Sequence, residues 1–176
     1  MLESRARPLG SESPEVSKRY GVVLFITDEY GNALVFRNNK TREETQKVRG
    51  QLTTPQETLD PNERLEDGLL RTLLEEVGGF ADRIKPKFRG TLLFDISPNP
   101  VRLVCFEIQA NRKSVKLNPQ DIQEVSSPRW IPLADIDDRT MRIGKWDIPL
   151  FRDPLPVIAA NVLRARETGK FILQQY

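Results

Sequence analysis

Residues 57–79 read ETLDPNERLEDGLLRTLLEEVGG, and this stretch decides the fold of the 176-residue chain. Asp60 is suited to cap a helix, Pro61 to its first turn, and Glu63 to the third position after the cap. Gly78-Gly79 is a typical helix end. The stretch predicts an amphipathic helix whose apolar side chains pack on a core at helical spacing: Leu65, Leu69, Leu70, Leu73, Leu74 and Val77.

The other face of this predicted helix is polar. One i, i+4 row holds Glu63, Asp67, Arg71 and Glu75, and the row beside it holds Gly68, Thr72 and Glu76. Taken alone, the first row is explained by a solvated face with ion pairs centred on Arg71. Clustered carboxylates on a rigid helix also suit a divalent metal ion, so both interpretations stay open at this point.

The spacing of the charged residues resembles the Nudix box, G-x5-E-x7-R-E-U-x-E-E-x-G-U, where U is a bulky apolar residue. Three positions depart from that pattern: Glu57 stands in place of glycine, Thr72 in place of glutamate, and Gly79 in place of U. The box is therefore degenerate. The matching positions are Glu63, Arg71, Leu73, Glu75, Glu76 and Gly78.

The flanking sequence predicts strands before and after the box. Dense apolar runs predict strands over 21–27, 33–36, 88–96 and 101–110, with shorter strands over 50–53 and 127–131 and a second helix over 153–168. The resemblance implies a Nudix-like α/β/α sandwich with a mixed β-sheet. We expect residues 1–16 to form a flexible arm and residues 17–176 a single domain that includes the C-terminal helix.

Composition excludes several kinds of chemistry. The chain has no histidine, which rules out a histidine base, a Ser-His-Asp triad and histidine-bound metals. Its one cysteine rules out an intramolecular disulfide and a multi-cysteine zinc site. A net charge of +2 disfavours nucleic acid as a partner. No apolar run approaches a membrane span and the first 16 residues are polar, so we expect a cytoplasmic protein without a membrane partner.

The resemblance also implies a chemistry: hydrolysis of a pyrophosphate bond in a nucleoside diphosphate linked to another moiety, with Mg²⁺ or Mn²⁺ as cofactor. It assigns catalytic roles to Glu76, Glu75, Arg71 and Glu63. Glu75 and Glu76 would ligate the metal, and Arg71 would orient the glutamates. A homodimer is in keeping with the family, although no interface is evident in the sequence.

Thr72 is the serious departure, because the family's glutamate there ligates metal and a threonine hydroxyl is a poor Mg²⁺ ligand. We hypothesise that Glu57 supplies the missing carboxylate; the alternative is an exposed loop glutamate. Asp121 and Glu124 are candidate bases in a later loop. Arg49, Arg89 and Glu124 are candidate substrate contacts, although ordinary surface charge explains them equally well.

Two other functions stay open. The first is a catalytically impaired Nudix-like module that binds a nucleotide-type ligand or a protein partner, which Thr72 and Glu57 favour. The second is a nucleic-acid-binding module that uses basic residues near 40–49 and 85–89, although no aromatic RNA-binding signature accompanies them.

Overall fold

The computed structural model describes residues 19–43, 47–78, 101–115, 117 and 125–169. The predicted strand over 88–96 and the predicted arm over 1–16 lie outside these residues. The predicted mixture of strands and helices is confirmed. The elements, in chain order, are β1 (Arg19–Thr27), β2 (Asn32–Asn38), β3 (Leu52–Thr53), β4 (Gln56–Thr58), α1 (Leu65–Thr72), β5 (Val101–Gln109), β6 (Val125–Pro132), β7 (Thr140–Ile143), β8 (Trp146–Pro149) and α2 (Leu155–Thr168).

Six of the strands form one mixed sheet. β1 pairs in parallel with β5 along its whole length and antiparallel with β4. β2 pairs antiparallel with β3 and with β6. The parallel pairing of β1 with β5 confirms that the sheet is mixed.

The segment from β3 to β4 crosses from one strand of the sheet, β2, to another, β1. β1 and β2 pair with each other only at Thr27 and Ala33 among the described residues. β3 pairs with Phe36 and Arg37 of β2, whereas β4 pairs with residues 21–23 of β1. This crossing places Glu57 directly opposite Val22 in the register of the sheet.

Alternate residues of the strands face two separate cores. Val22, Leu24 and Ile26 join the cluster that contains Leu69, Leu73 and Val77. Val23 and Phe25 join the cluster that contains Leu155, Ile158 and Val162 of α2. Because neighbouring side chains of a strand point to opposite faces, α1 and α2 cover the two sides of the sheet. The predicted sandwich is therefore confirmed.

The start of α1 differs from the prediction. The helix begins at Leu65, not at Asp60, because Asn62 has a φ of 69°, which a right-handed helix does not accommodate. The predicted capping contact nevertheless forms ahead of the helix: the backbone N–H of Asp60 donates to Glu63 Oε2 at 2.8 Å. The sequence signal at Asp60 and Glu63 therefore marks a turn that precedes the helix.

The apolar stripe of the helix is narrower than predicted. Leu69, Leu73 and Val77 are buried, whereas Leu70 and Leu74 are 43% and 44% exposed. A row of residues spaced by four is enough to seat the helix on the sheet. The prediction that Leu70 and Leu74 belong to the core is wrong.

The last turn of the helix is a wider π-helical turn over Leu73–Val77. It closes with the backbone N–H of Gly78, which donates to the carbonyl of Leu73, five residues back, at 2.8 Å. Such turns hold one extra residue and often occur at functional sites. Here the turn carries Glu75, which is partly exposed, and Glu76, which is only 9% exposed.

Strands β7 and β8 form a separate hairpin that the sequence analysis did not predict. The chain after the hairpin joins the sheet beside β3: the N–H of Leu52 donates to Leu150 O, and the N–H of Arg152 donates to Leu52 O, both at 2.8 Å. The hairpin therefore fixes where Arg152 enters the domain. Among the described helices, none is long and apolar enough to cross a membrane.

Candidate active site

Arg71 of α1 forms a two-pronged ion pair with Glu63. Its Nε lies 2.9 Å from Glu63 Oε1, and its Nη2 lies 2.8 Å from Glu63 Oε2. These hydrogen bonds, followed by the one from Asp60 N–H, lower the pKa of Glu63 to about 2. Arg71 Nη1 also lies 3.7 Å from Glu75 and 4.0 Å from Glu57. Arg71 thus brings three of the predicted glutamates together.

Glu57 occupies the middle of the carboxylate cluster. Its side chain is 36% exposed and belongs to β4. Burial raises the pKa of Glu57, the charge of Arg71 lowers it, and the charge of Glu75 raises it further, so that the net shift is upward. Glu57 therefore lies in a strand rather than in a loop, and its carboxylate interacts with the charges of Arg71 and Glu75.

Glu76 points inward from the π-helical turn. Burial raises the pKa of Glu76 to about 8, and the charge of Glu57 adds to that effect. The charges of Lys47 and Arg152 and a hydrogen bond with the backbone of Gln56 oppose it. The charge of Glu75 therefore acts on Glu57, and the charge of Glu57 acts on Glu76.

Thr72 takes no part in this cluster. Its side chain is fully buried, and its hydroxyl donates to the carbonyl of Gly68 at 2.8 Å. Gly68 is itself constrained, because a Cβ there would collide with the side chain of Leu59. The hydroxyl of Thr72 is therefore engaged within the helix.

The comparison with known families decides the identity of the fold. The sequence model of the NUDIX domain matches residues 17–153. The chain belongs to the Nudix family.

Solved structures resemble this Nudix chain in fold. The MutT protein from Methanosarcina mazei Go1 is 22% identical with a TM-score of 0.61, and the match covers 86% of this chain and 99% of that one. The NUDIX domain of Shewanella oneidensis NrtR, complexed with ADP ribose, is 21% identical with a TM-score of 0.57, over 86% and 90%. A C. elegans Ap4A hydrolase is 16% identical with a TM-score of 0.56, over 86% and 98%. No curated protein matches the sequence.

The Nudix box supplies oxygen donors of the kind that Mg²⁺ prefers. Within the described residues, no three acidic or cysteine side chains form a ready-made metal cluster. Mg²⁺ commonly takes only one or two carboxylates and completes its shell with water and phosphate oxygens. Glu57, Glu75 and Glu76 therefore fit such an ion by donor chemistry.

Of the candidate substrate residues of this Nudix chain, the structure describes only Arg49. Arg49 lies in an exposed turn, where its backbone N–H donates to Thr41 Oγ1 at 3.0 Å, and no described contact joins its side chain to the glutamates. Arg89, Glu124 and Asp121 lie outside the described residues, as does Gly79 of the box.

The sequence alone does not indicate the roles of three buried or partly buried residues, two of which, Lys47 and Arg152, act on the carboxylates of the Nudix site. Lys47 is 9% exposed and its charge acts on Glu57 and Glu76. Arg152 is coupled to the same two carboxylates. Asn38 is fully buried, and neither atom of its side-chain amide has a hydrogen-bond partner among the described residues. No motif marks these positions. The nearest signal is the basic character of residues 40–49, which the sequence analysis assigned to a possible nucleic-acid-binding module.

Proposed function

We propose that the protein is a Mg²⁺- or Mn²⁺-dependent Nudix-type hydrolase that cleaves a pyrophosphate bond in a nucleoside diphosphate linked to another moiety. The observation that carries this proposal is the coupling of Glu57 to Glu75 and to Glu76. Carboxylates that repel one another in a partly buried site are stabilised by a cation placed between them. The degenerate box therefore retains the negative charge that a divalent ion needs.

In this proposal Glu57 replaces the carboxylate that Thr72 lacks. Glu57, Glu75 and Glu76 would hold the ion. When bound, Mg²⁺ neutralises phosphate oxygens and activates the water that attacks phosphorus. Arg71 orients Glu75 and Glu57, and Glu63 fixes Arg71 through its two hydrogen bonds. The bond that breaks joins phosphorus to the bridging oxygen, and the departing phosphate keeps that oxygen.

The names of two structural neighbours support the ligand class. One neighbour is a NUDIX domain in complex with ADP ribose, and another is an Ap4A hydrolase. Both names refer to a nucleoside joined to another group through linked phosphates. The attached moiety in this chain is left open by that likeness, which is one of fold.

A second candidate function is a catalytically impaired module that binds a nucleotide-type ligand or a protein partner. The observation in its favour is the burial of Thr72, whose hydroxyl is engaged by Gly68 and which offers no carboxylate. The two functions differ in turnover, because the second allows binding without cleavage.

The test combines turnover with metal binding. The purified protein would be assayed with Mg²⁺ and Mn²⁺ against nucleoside triphosphates, dinucleoside polyphosphates and nucleotide sugars, and Mg²⁺ affinity would be measured by calorimetry. Glu57→Gln and Glu76→Gln should each weaken Mg²⁺ binding and turnover by about 10- to 100-fold. Glu66→Gln is the matched control, because Glu66 is exposed on the same helix beside Arg64.

Each outcome separates the candidates. If Glu57→Gln leaves Mg²⁺ affinity unchanged, Glu57 does not replace the lost ligand. If the wild type binds a nucleotide but cleaves none of the panel, the impaired module becomes the better description. Cleavage that depends on both Glu57 and Glu76 supports the hydrolase.

A further inference from the structure

Two cations, Lys47 and Arg152, lie close enough to the site to act on its carboxylates. Both charges act on Glu76, and both act on Glu57. Neither residue belongs to the Nudix box, and they are more than 100 residues apart in the sequence. The fold brings both cations to the same pair of carboxylates.

The sheet determines the direction of Arg152. Phe151 is 2% exposed and belongs to the core beneath α2. The chain is extended here, since it bridges to Leu52 and the N–H of Arg152 donates to Leu52 O at 2.8 Å. Neighbouring side chains of extended chain point to opposite faces, so Arg152 is directed to the face that carries Glu57 and Glu76. Burial lowers the pKa of its guanidinium, against the attraction of these carboxylates.

A short β-bridge positions Lys47, which lies in the chain before β3. The backbones of Arg42 and Lys47 exchange two hydrogen bonds, of 2.8 and 2.9 Å, which close the loop that precedes β3. The side chain of Lys47 folds inward and is 9% exposed, in contrast to the neighbouring Arg49. A buried lysine is almost always paired with an acidic group, and the carboxylates on which Lys47 acts are Glu57 and Glu76.

We propose that Lys47 and Arg152 form an anion-binding subsite that takes one phosphate of the ligand. The inference rests on the proposed function for the kind of ligand, a diphosphate, but it does not require that the ligand be cleaved. Arg71 commits two of its nitrogen atoms to Glu63, so its fork is used within the protein. A guanidinium and an ammonium that are partly removed from water bind phosphate oxygens strongly and with defined direction. The subsite would therefore fix which phosphate of the ligand lies over Glu57 and Glu76.

The experiment measures the binding of α,β-methylene-ADP, whose bridging carbon prevents cleavage between the phosphates, to the full chain with Mg²⁺ by calorimetry. Lys47→Gln and Arg152→Gln should each weaken its affinity by about 10- to 100-fold, the range expected when a charge-assisted hydrogen bond is lost. Arg152→Lys, which keeps the charge and loses the fork, should fall between them and the wild type. Arg142→Gln is the control, because Arg142 is exposed on β7 and pairs with Asp147.

Two results would overturn the subsite. One is an affinity for the analogue that is unchanged in both Lys47→Gln and Arg152→Lys. These two variants test the subsite even if Arg152→Gln fails to fold. The other is weakening by Arg49→Gln alone, which would move the phosphate contact to the exposed turn. If the Lys47 and Arg152 variants weaken binding of the analogue but the wild type cleaves no substrate, the subsite is supported and the proposed hydrolase activity is rejected. If substrate is cleaved and KM is unchanged in both Lys47→Gln and Arg152→Gln, the hydrolase activity is supported and the subsite is rejected.

Discussion

Arg71 and Glu63 meet face to face, with Arg71 Nε 2.9 Å from one carboxylate oxygen of Glu63 and Nη2 2.8 Å from the other. This arrangement leaves Nη1 directed toward Glu75 and Glu57, at 3.7 and 4.0 Å. Glu63 is also bonded to the backbone of Asp60, so the pair is anchored in the turn that precedes the helix. The position of Glu57 and Glu75 therefore depends on a contact that neither of them makes.

Arg71→Lys tests this dependence, because a lysine keeps the charge but cannot form the two parallel hydrogen bonds. We expect turnover and Mg²⁺ affinity to fall by about 10- to 100-fold, as is usual when a residue that orients metal ligands is changed. Steady-state assays and calorimetry would measure the two effects. Arg64→Lys, at an exposed ion pair with Glu66, is the control, and an equal loss there would remove the special role of Arg71.

Thr72→Glu should make folding depend on Mg²⁺. Thr72 is fully buried, so a carboxylate there adds charge close to Glu76 in a site that already repels it. We expect a lower melting temperature in EDTA than for the wild type, with a larger recovery on addition of Mg²⁺. Differential scanning calorimetry would measure both.

Thr72→Val is the matched variant, because it keeps the shape and loses only the hydrogen bond to Gly68, which is worth about 1 kcal/mol. If Mg²⁺ raises the melting temperature of Thr72→Glu no more than that of Thr72→Val, the new carboxylate does not reach the metal. A gain in turnover over the wild type would mean that Glu57 does not fully replace the missing ligand.

Asn38→Leu should stabilise the protein. The side-chain amide of Asn38 is buried without a hydrogen-bond partner among the described residues, and leucine has a similar shape. Removing an unsatisfied polar group should raise the free energy of unfolding by about 1 to 2 kcal/mol, as measured by urea denaturation. Asn32→Leu is the control and should destabilise, because Asn32 Nδ2 donates to Asp28 at 3.0 Å. A loss of stability in Asn38→Leu would show that the amide is bonded after all.

Asp28 should make the protein acid-sensitive. Burial works to raise the pKa of Asp28, but the hydrogen bonds from Asn32, Arg112 and Tyr30 together outweigh it, so the pKa lies below its ordinary value of 3.8. A lowered pKa in the folded state stabilises the protein above about pH 4, and this stabilisation disappears as the pH falls through the folded pKa. Asp28→Asn should therefore lose stability at neutral pH and approach the wild type in acid.

Urea denaturation of the wild type and Asp28→Asn near pH 3 and pH 7 would measure this difference. Asp153→Asn, at an exposed acid for which no ion pair is described, should show a much smaller change with pH. A difference between wild type and Asp28→Asn that stays constant with pH would mean that the carboxyl is not charged in the folded protein.

The parts of the fold that the sequence predicts are those with a local cause. Runs of apolar residues predict β1, β2 and β5, and helical spacing predicts that Arg71 and Glu75 meet. The start of α1 escapes this reasoning, because the left-handed conformation of Asn62 lies in the turn between β4 and the helix and is not marked by any spacing. The wider last turn of the helix, which carries Glu75 and Glu76, is likewise unmarked in the sequence.

The remaining site residues depend on contacts between distant segments. Arg152 reaches Glu76 because the chain after β8 pairs with Leu52, and no local pattern around Arg152 indicates that pairing. Lys47 looks like its exposed neighbours in the sequence and differs from them only once the loop closes on Arg42. The Nudix box could therefore be predicted, and its cationic side could not.

The pairing of β3 with the chain after β8 has a consequence for synthesis of the protein. Gln51 Nε2 donates to Pro149 O at 3.0 Å, across 98 residues of chain. During synthesis on a ribosome, the Nudix helix and its glutamates emerge before their late cationic partner, Arg152. Until Arg152 emerges, the outer edge of β3 also lacks the strand that covers it, and an uncovered edge invites pairing with other chains. The nascent protein therefore needs the chain around Pro149 and Arg152 both to complete the site and to cover this edge of the sheet.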